Sequence, residues 1–277
     1  MMGRAAIALL VLSTMGATSY RPPPAPLRVC ADPNNLPFSN DQKAGFENRI
    51  ALLMAHDMGT TAEFSWRPQM RGFVRKGLKA GACDVYMGVP VSYGPLLTTN
   101  PYYRSTYVIV YRAKGAVHVR SLDDSALRSL KVGVHMIGDD YQNTPPAQAL
   151  AARGMIDNVR GYPIVDDYSK PSPQAHILEA LERGEIDVAI VWGPFAGYFA
   201  KRAPSPLTIV PVTPANDVSG QIFAFDIAMG VRRTDTSLAH RLDTLLVRER
   251  PAIRKILSDY GVPLASPEDS SGAIHGE

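Results

Sequence analysis

Cysteine, tryptophan and histidine are scarce in this chain of 277 residues, which has two, two and six of them respectively. Two cysteines exclude a small disulfide-dense framework, and neither has a histidine at ligand spacing, which argues against a structural zinc site. The histidines, His56, His118, His135, His176, His240 and His275, are scattered without metal spacing. No G-x-S-x-G elbow, H-E-x-x-H pair or G-x-x-x-x-G-K-[ST] loop occurs, so serine hydrolase, metalloprotease and nucleotide-hydrolase chemistry lack their usual signatures. The formal charge is only +3, a mild imbalance that makes no case for nucleic-acid binding. No internal repeat is present. The longest apolar run near the N-terminus, Ala5–Leu12, is well short of the roughly 20 residues that span a bilayer.

What is present is the balance of a globular protein with real cores, 45% hydrophobic and 20% charged residues. Arg4, the short apolar run and the small residues Gly16, Ala17, Thr18 and Ser19 read as a cleavable signal peptide over 1–19. Pro22, Pro23, Pro24 and Pro26 form a stiff spacer over 20–26 that cannot be helical. The fold is therefore expected to begin at Leu27 and the polar tail over 266–277 to be flexible. The mature chain is expected in the periplasm, without a membrane span.

From Leu27 onward, short apolar strands alternate with helices. Leu27–Asp32, Ala62–Trp66 and Cys83–Val89 read as strands, with helices over Gly45–Gly59 and, more weakly, Met70–Lys79. Apolar strands without polar alternation indicate mostly parallel sheets covered on both faces. Tyr102–Tyr111 is a long β-branched and aromatic strand with no helix of its own. A second alternation then runs from Lys131, with Thr144 capping a helix that starts at Pro145, a strand over Val159–Val165, a helix after Ser172 and Pro173, and a strand over Ile186–Trp192. Leu207–Val212 and Phe223–Val231 are extended, and the chain closes in helices around Leu238–Leu257. This order predicts an α/β fold of two lobes. Lobe 1 takes 27–112 and 213–265, and lobe 2 takes the inserted 113–212. The crossings, near Tyr111–Gly115 and Val212–Gln221, would act as a hinge.

Ligands of open α/β sheets bind outside the carboxyl ends of the strands. That rule points to Asp32–Phe38, Val89–Pro90, His135–Asp140 and Trp192–Pro194. The candidate cleft and partner-binding residues are Asp32, Asn34, Asn35, Phe38, Phe46, Trp66, Val89, Tyr102, Tyr103, His135, Tyr141, Tyr168 and Trp192. Each aromatic among them has an ordinary reading as core or lobe-edge packing and a functional one as the wall of a pocket or docking surface. His135 reads either as a hydrogen-bonded loop histidine or as a cleft group. The pairs Asp139–Asp140 and Asp166–Asp167 read as solvated carboxylates or as oxygen ligands, and no catalytic residue, cofactor or metal is assigned. Cys30 and Cys83 fall on strands read as neighbours, which allows either a disulfide or two buried thiols.

Four segments, LRVCADPNNLPFSN (Leu27–Asn40), GFENRIALLMAHDMG (Gly45–Gly59), CDVYMGVP (Cys83–Pro90) and TNPYYRSTYVIVYR (Thr99–Arg112), together resemble the type II periplasmic solute-binding proteins. More narrowly they resemble the quinoprotein-dehydrogenase-associated branch, the J-type accessory proteins of methanol oxidation. That resemblance implies a non-catalytic accessory of a pyrroloquinoline-quinone (PQQ)-dependent methanol or alcohol dehydrogenase. The implied partners are the dehydrogenase and its c-type cytochrome, with a small-molecule ligand in the cleft as a further candidate. Amino-acid-binding relatives carry an arginine after the third strand and an aspartate after a strand of the second domain. Here those stretches read Val91–Pro95, without arginine, and Val191–Pro194, without aspartate. A desolvated zwitterion needs such opposite charges, so amino-acid transport is disfavoured. The alternatives are an importer's receptor for another small solute, or an enzyme on the same scaffold using His135, Glu47 or Asp32.

Overall fold

The structure is a computed structural model that describes residues 24–91, 93–137, 143–164 and 167–265. The signal-peptide span 1–19, the tail 266–277, Tyr141, Asp139, Asp140 and Asp166 lie outside the described residues. Among the described residues no helix is long and apolar enough to cross a membrane.

The chain opens with β1 (Leu27–Ala31), a loop carrying the two-residue strands β2 (Asn34–Asn35) and β3 (Ser39–Asn40), and helix α1 (Phe46–Asp57). Helix α1 forms because Phe46, Ile50 and Met54 recur at helical spacing and are fully buried. Its start is fixed by Asn48, whose side-chain oxygen accepts from the N–H groups of Asn40 and Gly45, both at 3.1 Å. Gly45 has no alternative there, since a Cβ would overlap the Phe38 carbonyl. Strand β4 (Ala62–Trp66), the one-turn helix α2 (Phe73–Lys76), β5 (Val85–Pro90) and β6 (Leu97–Thr98) follow. The helix expected over Met70–Lys79 is thus confined to its centre. Gly72, with φ 86°, and Gly77 bracket it, and glycine carries the lowest helix propensity after proline. Cys30 and Cys83 are joined as a disulfide with Cα atoms 5.4 Å apart, and Gly77 packs directly on Cys30 Sγ.

Strand β7 (Tyr103–Arg112) is the long strand at the centre of the molecule. After it come β8 (Val132–Met136), α3 (Pro145–Ala152), β9 (Val159–Pro163), α4 (His176–Glu182), β10 (Val188–Trp192), α5 (Gly193–Ala200) and β11 (Leu207–Pro211). The chain returns through β12 (Ala224–Val231) to α6 (Thr236–Arg248) and α7 (Arg250–Asp259). The sheet path runs β4-β1-β5-β12-β7-β10-β8-β9, with β11 also on β7 and β6 also on β12. Within each α/β unit the pairs are parallel: β1 with β4 and β5, and β8 with β9 and β10. The strands at the crossing, β7 and β12, pair antiparallel with their neighbours.

The first half of β7, Tyr103–Thr106, pairs with β12, and the second half, Tyr107–Arg112, pairs with β10 and β11. The change of partner therefore falls at Thr106–Tyr107, inside the strand and ahead of the crossing expected near Tyr111–Gly115. One uninterrupted strand serves both sheets, so no turn residue marks the switch. The return passes between Pro211 and Ala224, where the Val212 N–H donates to Tyr107 O and the Tyr107 N–H to Phe223 O, both at 2.9 Å. Separate apolar cores lie on the two faces of each sheet. Phe46, Met54, Met87 and Leu257 belong to one first-lobe core, and Phe73 and Tyr86 flank the disulfide in the other. In the second lobe one face holds Ile109, Leu150 and Ile190, and the other Val108, Ile177 and Phe195. Helix α5 was not anticipated from the sequence; it presses Gly193 on the Thr106 carbonyl and Gly197 on Gly261, bracing the point where β7 changes partner.

Candidate functional site: a latched cleft with two chambers

Asp32 directly follows β1 and is buried, yet its side chain gathers three segments. Its carboxyl oxygens accept from the Asn34 N–H at 2.8 Å, the Gln69 N–H at 2.6 Å and the Tyr168 hydroxyl at 2.7 Å. Ser39 locks the same turn by donating its hydroxyl to Asp32 O at 2.8 Å and accepting the Asp32 N–H at 3.1 Å. Burial, and then the bond to Asp32, push the Tyr168 hydroxyl above its ordinary range, so it serves as a donor. Asp32 and Tyr168 therefore tie the first lobe to the second.

Neighbouring residues extend this latch. The Asn34 amide donates to Lys170 O at 2.7 Å, and its oxygen accepts the Ser172 N–H at 2.8 Å. Ser172 sits at φ 49°, a left-handed conformation that costs a non-glycine residue about 1 kcal/mol, and Asn34 holds it there. Gln174 donates from Nε2 to Asn35 Oδ1 at 3.0 Å and to Leu36 O at 2.8 Å. Its own carbonyl accepts from His135 Nε2 at 3.1 Å. That bond assigns the proton to Nε2, since a carbonyl only accepts. His135 is 6% exposed and its ring packs on Phe195; burial lowers its pKa to about 4, so the imidazole is neutral near pH 7.

The Asn35–Gln174 bridge stands between two cavities, and both residues line each of them. The inner chamber, about 330 Å³, is walled by Phe38, Tyr107, Trp192, Phe195 and Phe225, with the His135 imidazole also in its lining. Trp192 stands edge-on to Tyr107 and Phe225, at 5.3 and 5.9 Å between ring centroids. Among the described residues its lining is mainly apolar and includes no charged side chain, which suits a neutral, ring-sized occupant. The outer groove, about 1180 Å³, runs along Gln69–Val74, Arg75 and Lys79 of the first lobe and meets Ile137, Ile164 and Tyr168 of the second.

Of the residues singled out from the sequence, Asp32, Asn34, Asn35, Phe38, His135, Tyr168 and Trp192 come together here. Phe46, Val89 and Tyr103 do not reach either cavity, being buried in first-lobe cores. Tyr102 donates its hydroxyl to Met87 O at 3.1 Å. Trp66 stacks on Phe64 at 5.0 Å on the edge strand β4 and lines neither cavity. Sequence reasoning missed Gln69, Tyr107, Gln174 and Phe225. Among the described residues no group of three or more His, Cys, Asp or Glu is placed to hold a metal ion.

Glu47 is the chemically unusual neighbour of the site. It lies in the first turn of α1, 9% exposed, and burial raises its pKa to about 8. Its carboxyl fills the space that a Cβ on Gly88 would take, and Gly88 lines the inner chamber. Burial, followed by the Glu47 charge, also pushes the Tyr86, Tyr102 and Tyr103 hydroxyls well above their ordinary range.

Two α/β lobes joined through β7 and closed over a strand-end cleft define the fold of the type II periplasmic binding proteins. The crystal structure of periplasmic binding protein XoxJ from Methylobacterium extorquens AM1 has the same fold, with a TM-score of 0.71 and 32% identity over 87% of this chain and 99% of that one. The crystal structure of MxaJ from Methlophaga aminisulfidivorans MPT gives a TM-score of 0.73 and 26% identity, covering 86% of this chain and 100% of that one. In sequence, Protein MoxJ of Methylorubrum extorquens is 32% identical over 265 residues, 91% of this chain and 86% of that protein. The chain belongs to the MoxJ family. No family model matches it.

Proposed function

We propose that this chain is a periplasmic, non-catalytic accessory protein of a PQQ-dependent methanol or alcohol dehydrogenase system. It uses the solute-binding scaffold to bind the dehydrogenase, and serves its maturation, its activation or its coupling to a c-type cytochrome. Membership of the MoxJ family supports the setting, and one observation carries the binding mode. The cleft is closed by the protein's own Asp32–Tyr168, Asn34–Ser172 and Asn35–Gln174 bonds. A nutrient receptor gains its closure from the ligand, because a ligand shifts an equilibrium only by its differential affinity for the two states. Here the closing contacts are supplied from within. The positions of the charged grips of amino-acid receptors hold Val91–Pro95 and Trp192–Pro194 instead. The lobes move about the two crossings, at Thr106–Tyr107 and Pro211–Ala224.

Co-purification with the dehydrogenase encoded in the same genome, and dehydrogenase activity with and without this chain, test the reading. Association plus a change in activity is expected; absence of both refutes it. The inner chamber favours a second reading, a receptor for a small neutral solute, for which about 330 Å³ is at the lower end of ordinary ligand pockets. A ligand at a hundred times its Kd would add about 2.7 kcal/mol of stability, so a solute screen by thermal shift separates the two.

A further inference from the structure

The stretch from Phe64 to Cys83 carries five cations, Arg67, Arg71, Arg75, Lys76 and Lys79, and no carboxylate. All five are exposed, and none forms an ion pair among the described residues, whose salt bridges lie elsewhere. The backbone beneath them is fixed. The Cys30–Cys83 disulfide and the buried side chains of Phe73 and Leu78 hold α2 against β1 and β5, and the Asp32 carboxyl anchors Gln69. Arg71, Arg75 and Lys79 line the outer groove. The same groove also exposes apolar surface: Met70 is 56% and Ile137 55% exposed, and Tyr93 is 38% exposed. Among the described residues Asp32 is the one carboxyl that lines the groove, and it is already engaged by three donors.

This concave site, lined by cations unpaired among the described residues and by exposed apolar side chains, has a volume of about 1180 Å³ and exceeds the size of ordinary small-ligand pockets, roughly 300–1,000 Å³. We propose that the outer groove is the docking site for an acidic polypeptide segment of the partner protein. Its carboxylates would face Arg71, Arg75 and Lys79, and its apolar side chains Met70, Tyr93 and Ile137. The inference rests on the reading of the chain as an accessory protein and specifies the surface and the partner chemistry. Guanidinium groups pair with carboxylates in a bidentate fashion. Cations left unpaired on a rigid surface lose little conformational freedom to the fold, so their electrostatic field remains available to steer a partner.

The test compares the mature chain with the variant Arg71→Glu/Arg75→Glu/Lys79→Glu. A control, Arg250→Glu/Arg254→Glu, reverses exposed charges on the distant helix α7. Thermal melting within a few degrees of the parent establishes that each variant is folded. Binding is measured against the purified dehydrogenase by biolayer interferometry. It is also measured against a fluorescein-labelled peptide alternating Glu and Asp with Leu and Phe, and against its Lys/Arg counterpart, by fluorescence anisotropy. Phosphatidylglycerol vesicles serve as the membrane probe. The expected result is binding of the dehydrogenase and the acidic peptide but not the basic one, weakened at least about tenfold by the triple variant and under twofold by the control. Raising the salt from 50 to 500 mM is expected to abolish most of that difference by screening. Equal binding by parent and triple variant, or binding of vesicles without the acidic peptide, overturns the inference. If the dehydrogenase binds but ignores the triple substitution, the groove assignment falls and the accessory function stands. If the acidic peptide binds through these cations and the dehydrogenase does not, the groove assignment stands and the accessory function falls.

Discussion

Replacing Glu47 by glutamine isolates the energetic consequence of keeping a carboxyl buried beside the inner chamber. The side chain is nearly inaccessible, and its pKa is raised from 4.5 to about 8 by burial alone. In the unfolded chain the group ionises near 4.5, whereas in the native state it stays protonated until about pH 8. Between those values the native state binds more protons than the unfolded one, so stability falls as pH rises. At about 1.4 kcal/mol per unit the ceiling of this loss is roughly 5 kcal/mol across the whole interval. His135 works in the opposite direction. Its folded pKa, lowered from 6.5 to about 4, gives stability that is present above 6.5 and lost as pH falls. The two groups partly cancel from pH 4.5 to 6.5, leaving the clean window between 6.5 and 8. There Glu47 alone contributes a loss of about 2 kcal/mol. The assay is urea denaturation of the parent and Glu47→Gln at pH 6.5 and pH 8. The parent is expected to lose about 2 kcal/mol more than the variant over that step. Parallel losses in the two proteins would refute the argument, because glutamine retains the shape and hydrogen-bonding capacity of the protonated acid but cannot ionise.

Four other outcomes are expected. Asn34→Ala removes the bonds to Lys170 and Ser172; it should cost about 1–3 kcal/mol and increase the radius of gyration in small-angle scattering as the cleft opens. Arg153 meets Asp217 through paired bonds, Nη1 to Oδ2 at 2.9 Å and Nη2 to Oδ1, and Asp217 is 2% exposed in its side chain. Arg153→Ala should therefore destabilise by about 3–5 kcal/mol in chemical denaturation. Hydrogen bonds from Arg153 lower the Asp217 pKa from 3.8 to about 2, so stability from this pair is present above pH 3.8 and is lost as the pH falls towards 2, a decline that Asp217→Asn should remove. The disulfide closes a sequence separation of 53 residues, for which chain entropy gives about 4 kcal/mol, so Cys30→Ser/Cys83→Ser should show a comparably lower unfolding free energy.

Much of the architecture was legible because the signals were local. Apolar strands followed by glycine-terminated helices placed α1, β5, α3 and β10 within a few residues, and the strand-end rule brought Asp32, His135 and Trp192 to one cleft. Helix α5 was hidden by Gly193 and Gly197, which lower helix propensity but are required by the close approach to Thr106 and Gly261. The partner switch inside β7 was hidden for a different reason: both halves of the strand are equally apolar, and only tertiary pairing divides them. Within the site, Phe38 and Trp192 line the chamber while Phe46 and Tyr103 are core, although all four lie at element ends. An aromatic ring suits either environment, so composition could not separate them. Gln174 carries no motif at all; its role arises from the meeting of two loops more than a hundred residues apart. The acid-free basic stretch from Phe64 to Cys83 was missed, because a net charge of +3 averaged over the chain concealed it.

The latch, the chamber and the groove constrain one another. Tyr168 bonds Asp32 while lining the outer groove, and Gln174 bonds Asn35 while lining both cavities. A segment seated against Arg71, Arg75 and Lys79 therefore lies next to the groups that hold the lobes together. An occupant that offered Tyr168 or Gln174 a better acceptor would compete with Asp32 or Asn35 and loosen the latch; one that only filled the groove would reinforce it by excluding water. These alternatives predict opposite signs for the same measurement, the change in hydrogen exchange at Ser172–Ala175 when the acidic peptide binds. Faster exchange would make the groove an opener of the inner chamber. Slower exchange would make the closed form the one that carries the partner, consistent with a scaffold whose closing contacts are all its own.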